Sequence, residues 1–181
     1  MSPKNNIIVL VGLMGSGKSR IGKELARQLK LPFFDADAEI EKAAAHTIPE
    51  IFNKYGEAEF RRGEREVIQR LLSGSPKVVA SGGGAFIQPL IREMIARDGI
   101  SVWLRARLET LVRRTSRTDH RPLLRVADPA ERLRQLMDER YPVYALADIT
   151  VDADDKTPRQ TASDIRSQLA DIYKTDQETD D

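Results

Sequence analysis

The chain has 181 residues, with 29 Lys and Arg against 28 Asp and Glu, two His and no Cys. This length suits one compact domain, and the missing cysteines exclude disulfides, Cys-ligated zinc and a thiol nucleophile. A net charge of +1 gives no reason to expect a nucleic acid as partner. Because no apolar run of membrane-spanning length and no signal-like start is visible, we expect a soluble, cytoplasmic protein, most simply a monomer with no membrane partner.

Short apolar runs alternate with helical periodicity along the chain. Five strands are predicted, at residues 7–11, 31–34, 77–80, 100–104 and 148–151. Helices are predicted where apolar residues recur every three or four positions, namely around Ile21 to Leu29, then at 38–45, 48–55, 57–72, 89–97, 109–114 and 129–141, and around Ile165 to Ile172. This alternation predicts an α/β domain with a parallel sheet over residues 1–173. Residues 174–181, acidic and without apolar side chains, are predicted to be disordered.

A phosphate-binding loop follows the first predicted strand. Residues 12–19, GLMGSGKS, match G-x-x-x-x-G-K-[ST], and a helix follows, which is the context this motif requires. Its glycines allow successive backbone N–H groups to converge on phosphate oxygens. Lys18 is expected to reach the β- and γ-phosphates, and Ser19 to bind Mg²⁺. The expected nucleotide-binding residues of this loop are Gly12, Gly15, Ser16, Gly17, Lys18 and Ser19.

Three classes of phosphate-loop protein compete at this point. A GTPase requires Asn-Lys-x-Asp, but the nearest match, NKYG at 53–56, lacks the Asp. A remodelling ATPase carries an acidic pair at the end of an apolar strand, whereas the third strand here ends in SGGG at 81–84. The second strand does end in carboxylates, Asp35 and Asp37. These features favour a small-molecule kinase.

The ordered set of motifs resembles the shikimate kinase family over about residues 5–173. The motifs are GLMGSGKS at 12–19, DAD at 35–37, GE at 56–57 with Phe60, Arg61 and Glu64, GGG at 82–84, RPLL at 121–124, and Arg140 before Pro142 and Tyr144. The resemblance implies a P-loop fold like that of nucleoside-monophosphate kinases, with a five-stranded parallel sheet in the order 2-3-1-4-5 flanked by helices. It also implies that ATP, with Mg²⁺ as cofactor, phosphorylates the 3-hydroxyl of shikimate in aromatic amino acid biosynthesis. The chain departs from the family at Arg20, where Thr is usual, and we expect little effect.

The resemblance assigns separate roles to the two aspartates. Asp35 is implied to hold Mg²⁺ through water, and Asp37 to bind the substrate hydroxyls and accept a proton. Strand periodicity predicts that both side chains point the same way, toward the edge of the sheet where ligands bind. The alternative is that Asp37 only caps the helix that follows.

Two arginines are implied to bind the substrate carboxylate. These are Arg61 and Arg140, whose planar guanidinium groups suit a bidentate carboxylate contact. Glu64, one helical turn after Arg61, is predicted to orient it, and the Gly83 N–H is implied to donate to the substrate. Solvated helix charges for the arginines, and a plain tight turn for the glycines, remain the alternatives. The resemblance places substrate binding on residues 40–64.

An arginine-rich stretch lies after the fourth strand. Residues 105–125 contain seven arginines and two acids but no aromatic residue, so a nucleic-acid surface has no stacking platform. A lid over ATP at 115–125 fits better. The resemblance implies that Arg121 neutralises the transferring phosphate. It also implies that Arg114 and Pro158 lie on the two faces of the adenine ring.

Two rival functions remain open. Within kinases, gluconate is another hydroxylated acceptor that bears a carboxylate. Outside enzymes, the chain is a nucleotide-binding module that has lost turnover.

Overall fold

Five parallel strands form the sheet of the computed structural model, which describes residues 6–116 and 128–178, with side chains to residue 174 in the last helix. The strands are β1 Ile7–Val11, β2 Phe33–Asp35, β3 Lys77–Ala80, β4 Ile100–Arg105 and β5 Ile149–Asp152. Their order is β2-β3-β1-β4-β5, with every neighbouring pair parallel, which confirms the predicted topology. The observed ends lie within two residues of the predicted ones.

Strand β1 occupies the centre of this sheet and is buried along its whole length. Its Leu10 lies opposite Ala80 of β3, and its Val11 lies opposite Trp103 of β4. The chain that leaves its carboxyl end therefore emerges in the middle of the edge where ligands bind in open α/β sheets. That position belongs to the phosphate-binding loop.

Helices cover both faces of the sheet. They are α1 Lys18–Leu29, α2 Ala36–Ala44, α3 Ile48–Leu71, α4 Pro89–Asp98, α5 Leu108–Thr115, α6 Pro129–Tyr144 and α7 Pro158–Glu178. Alternate residues of β1 join separate cores: Ile8 and Leu10 pack with α1 and α7, and Ile7, Val9 and Val11 pack with α2 to α6. In the described ranges, none of the helices has the length and apolar character needed to cross a membrane.

Gly56 interrupts helix α3 at the predicted boundary between the segments 48–55 and 57–72. Its φ of 82° and ψ of 173° are not helical, so the two segments meet at a kink. A positive φ of this size favours glycine, which has no Cβ to clash. Thr47 and Glu50 cap the first segment reciprocally. The kink separates the first segment from the second, which carries Arg61.

The last helix continues beyond its predicted end. Helix α7 runs to Glu178, beyond the expected end of the domain at residue 173, and residues 179–181 lie outside the described part of the chain. Extending an existing helix avoids the cost of nucleation, so polar residues can continue it without burying apolar surface. Lys174 also lies 3.9 Å from Asp171 on the preceding turn.

Candidate active site

The phosphate-binding loop wraps around its own lysine. Gly17, with φ 99°, caps α1 in a left-handed conformation, and Gly15 has φ 84°, so both positions favour glycine. Lys18 is the first residue of α1, and its Nζ donates to the Gly12 and Leu13 carbonyls at 2.8 and 3.0 Å. The ammonium group is thereby held at the mouth of the loop.

Asp35 connects β2 with two helices. Its Oδ2 accepts from Ser19 Oγ of α1 at 2.7 Å, and its Oδ1 accepts from the N–H groups of Asp37 and Ala38 at 3.1 and 3.4 Å. Asp35 is therefore the N-cap of α2. The alternative that Asp37 caps this helix is wrong, because the strand gives way to the helix at residue 35.

Asp37 lies in the first turn of α2 rather than on a strand. Strand periodicity is therefore the wrong reason for expecting the Asp35 and Asp37 side chains to point the same way, although both aspartates do line the same cleft. Burial raises the pKa of Asp37 to about 6, and the negative charges of Asp35 and Glu64 add to this, while Lys18 opposes it. A Cβ on Gly82 would lie 2.8 Å from Asp37 Oδ1. The glycine loop, which is Gly82 to Gly84, therefore contacts this carboxylate directly.

Arg61 of α3 lies beside the glycine loop. Its Nη1 donates to Glu64 Oε2 at 2.8 Å, which confirms that Glu64 orients it. A Cβ on Gly84 would lie 2.9 Å from both Nη atoms of Arg61. The guanidinium group therefore packs against the backbone of the loop.

Arg140 of α6 lies by the same loop and donates from Nη1 to the Gly83 carbonyl at 3.2 Å. Both Arg61 and Arg140 line the cleft, together with Asp37. The arrangement brings two guanidinium groups, the partly exposed Gly83 and Gly84 and one half-buried carboxylate to one pocket.

Tyr144 is a site residue to which sequence reasoning gives no role. Its hydroxyl donates to the Gly83 carbonyl, the same acceptor that Arg140 uses. The side chain is fully buried, and burial raises its pKa to about 12, so the hydroxyl stays protonated and keeps its donor. The available signal was its spacing, one helical turn after Arg140.

Arg114 ties α5 to the phosphate-binding loop. Its Nη1 donates to the Gly15 and Ser16 carbonyls, each at 3.3 Å, and its Nη2 donates to the Ala153 carbonyl at 2.8 Å. Pro158, the first residue of α7, lines the same cleft. The two residues predicted to hold adenine are thus both at the cleft with the loop.

The whole cleft has a volume of about 920 Å³. Among its described lining residues, seven lysines and arginines outnumber three carboxylates, which suits a triphosphate and an acidic acceptor. Sequence reasoning gave no individual role to four charged lining residues, Arg20, Glu41, Arg113 and Lys156. Arg121 and residues 117–125 of the predicted lid lie outside the described part of the chain.

Comparison with known proteins decides which kinase family this cleft belongs to. Residues 14–170 match the family model described as shikimate kinase. The chain belongs to the shikimate kinase family. A shikimate kinase from Paramagnetospirillum magneticum is 56% identical over 154 residues, which are 85% of this chain and 79% of that protein. One from Mesorhizobium japonicum is 48% identical over 170 residues, 94% of this chain and 84% of that one.

A solved structure agrees with this membership. The shikimate kinase from Acinetobacter baumannii in complex with shikimate has a TM-score of 0.88 and 39% sequence identity, and the match covers 94% of this chain and 95% of that one. The family is therefore matched in sequence and in the arrangement of the elements that carry the cleft.

Proposed function

We propose that this chain transfers the γ-phosphoryl group of ATP to the 3-hydroxyl of shikimate, giving shikimate 3-phosphate for aromatic amino acid biosynthesis. The observation that carries the proposal is one cleft in which a phosphate-binding loop, a half-buried Asp37 and two arginines meet around a glycine loop. The acceptor must then bear a hydroxyl for Asp37 and an anionic group for Arg61 and Arg140. Shikimate has both.

Lys18 and the loop around it serve the nucleotide in this proposal. On binding, the Lys18 ammonium exchanges its contacts with the Gly12 and Leu13 carbonyls for β- and γ-phosphate oxygens. Ser16 and the glycines supply backbone N–H groups, and Arg114 and Pro158 flank the adenine. Arg121 reaches the transferring phosphate and neutralises charge that develops there.

Asp37 serves the acceptor. Its carboxylate orients the attacking hydroxyl and accepts its proton as the bond to phosphorus forms. Because phosphoryl transfer passes through a loose transition state, orientation of the hydroxyl contributes more than proton removal. The Gly83 N–H donates to the substrate, and the carbonyl of the same residue is held by Tyr144 and Arg140.

Magnesium fits the donor set at the end of β2. Ser19 Oγ and Asp35 Oδ2 lie 2.7 Å apart, and a hydroxyl with a carboxylate would supply oxygen ligands of the kind that Mg²⁺ prefers. Bound there, Mg²⁺ neutralises charge on the β- and γ-phosphates. We propose Ser19 as a ligand and Asp35 as the residue that holds the metal through water.

Ser19→Ala should raise the free Mg²⁺ concentration for half-maximal velocity by about tenfold or more, because one oxygen ligand is lost. The measurement is initial velocity against free Mg²⁺ at saturating ATP and shikimate. Ser167→Ala, at an exposed serine of α7, is the matched control. An unchanged Mg²⁺ requirement in Ser19→Ala would remove Ser19 from the metal site.

Arg140→Lys should raise the KM for shikimate by about tenfold, because an ammonium group cannot make the bidentate contact with a carboxylate. The KM for ATP should stay within about twofold, since the phosphate contacts are made elsewhere. Arg134→Lys, on the exposed face of α6, controls for helix effects. A normal KM for shikimate would show that Arg140 does not bind the carboxylate.

The substrate itself is tested by coupling ADP release to NADH oxidation in the presence of shikimate, gluconate or nucleoside monophosphates. We expect release with shikimate alone. Release with gluconate alone would favour the rival kinase, and ATP binding without any turnover would favour the nucleotide-binding module.

We further propose that residues 1–173 act as one kinase domain, in which residues 40–64 bind the acceptor and 115–125 close over ATP. Closure excludes water, which competes as a phosphoryl acceptor. The proposal includes a cytoplasmic monomer that binds small molecules rather than nucleic acid or membrane. The seven lysines and arginines that line the cleft support the small anionic substrates in this proposal.

A further inference from the structure

Gln88 stands at the N-cap position of α4 but does not cap that helix with its side chain. Its amide reaches across to α3 instead. Nε2 donates to Glu64 Oε2 at 2.6 Å, and Oε1 accepts from Arg65 Nη1 at 3.1 Å. Because Arg65 can only donate, its contact fixes the amide with oxygen toward Arg65 and nitrogen toward Glu64.

Glu64 is the buried carboxylate between this amide and the cleft, with 1% of its surface exposed. Its Oε2 accepts from Arg61 as well as from Gln88. Its Oε1 lies near Gly82, where a Cβ would be 3.0 Å away. The carboxylate is therefore held on three sides, and the donor from Gln88 is uncharged.

The lack of charge on the Gln88 donor matters because Arg61 has a second carboxylate, other than Glu64, within reach. Arg61 Nε lies 3.6 Å from Glu57 Oε1, a carboxylate whose side chain is 70% exposed. If Glu64 could turn, Arg61 would be free to move outward to Glu57 and away from Gly84. A cation in place of Gln88 would instead compete with Arg61 for Glu64.

We propose that Gln88 is a positioning residue for substrate binding: through Glu64 it holds Arg61 against the glycine loop. Gln88 itself is not one of the residues that line the cleft. This inference rests on the proposed function, in which Arg61 binds the substrate carboxylate. It assigns the segment after the glycine loop a part in recognition of the acceptor.

Gln88→Asn separates positioning from stability. Asparagine is a favourable N-cap, so the melting temperature should hold or rise, but its side chain is one methylene too short to bridge to Glu64. The KM for shikimate should rise about fivefold, with kcat and the KM for ATP within about twofold. Gln69→Asn, at an exposed glutamine of α3, is the matched control.

The route through Glu64 is tested in a double-mutant cycle. Gln88→Asn should have almost no further effect on the KM for shikimate once Glu64→Gln is present, because the pathway is already broken. An equal effect in both backgrounds, or no effect in either, overturns the proposal. Arg61→Lys distinguishes failure of the proposed function from failure of the positioning role. If Arg61→Lys leaves the KM for shikimate unchanged, the role of Arg61 in the proposed function is wrong. If only Gln88→Asn is silent, the positioning role alone fails.

Discussion

Asp37→Asn should lower kcat by about 100-fold or more while leaving the affinity for ATP nearly unchanged. The amide keeps the size of the carboxyl group, but its uncharged oxygen accepts a weaker hydrogen bond from the attacking hydroxyl, so it orients that hydroxyl less well and cannot take its proton. In the proposed function Lys18 and Ser19 hold the nucleotide; Lys18 donates to the Gly12 and Leu13 carbonyls, and Ser19 donates to Asp35. The measurements are steady-state kinetics and calorimetric titration with ATP.

The same variant should not weaken the fold. Asp37 is half-buried with Asp35 and Glu64 nearby, and its partial desolvation and these like charges disfavour its ionised form. Removing that charge should raise the melting temperature of the ligand-free protein at neutral pH by about 2–5 °C. Lower activity together with a higher melting temperature would show that the loss arises at the active site and not from a weaker fold.

Two outcomes would contradict the assignment. Loss of ATP binding would place Asp37 in the nucleotide site, and an unchanged kcat would remove it from the reaction. Asp138→Asn, at an exposed position of α6, provides the comparison for the chemical change alone.

The sheet and the phosphate-binding loop were predictable because their signals are local. A fully apolar run gives β1, and the loop motif follows it directly, so the centre of the sheet and the phosphate site come together. The break at Gly56 was likewise marked by a single residue. Each of these features is decided by neighbours within a few positions.

The inner contacts of the site depend on packing between distant segments. Tyr144 and the Gly83 carbonyl are 61 residues apart, and Gln88 and Glu64 are 24 apart. Neither pair has a spacing rule, since the partners meet only after α3, α4 and α6 pack on the sheet. The strand-based reason given for the orientation of Asp37 was wrong on related grounds, because periodicity cannot show where β2 gives way to α2 within three residues.

The glycine loop shows most clearly that sequence patterns do not reveal contacts between distant segments. Three consecutive glycines were compatible with a plain tight turn, and the structure distinguishes them by what surrounds each one. At Gly82 an added Cβ would be 2.8 Å from Asp37 Oδ1 and 3.0 Å from Glu64 Oε1, although its backbone needs no positive φ. The requirement for glycine there is steric, imposed by two carboxylates from α2 and α3.

Gly82→Ala should therefore lower kcat/KM for shikimate by about 100-fold or more, because either carboxylate must move to admit the methyl group. Glu64 cannot yield easily, being held by Arg61 and Gln88, so displacement falls on Asp37 or on the loop itself. The KM for ATP should change far less, since the phosphate-binding loop is a separate segment. Steady-state kinetics for both substrates measure this split.

Gly63→Ala is the matched control for this glycine. A Cβ there meets nothing within 4 Å, and the residue lies within α3, so alanine should raise the free energy of unfolding by about 0.5–1 kcal/mol and leave both KM values alone. If Gly82→Ala kept normal kinetics, the loop would not be packed against Asp37 in the working enzyme, and the proposed wall of the acceptor site would be wrong. If it lost ATP binding in parallel, the damage would lie in the fold of the sheet edge. Only a selective loss of kcat/KM for shikimate would agree with the view that Asp37 and Glu64 leave room for no side chain larger than that of glycine at position 82.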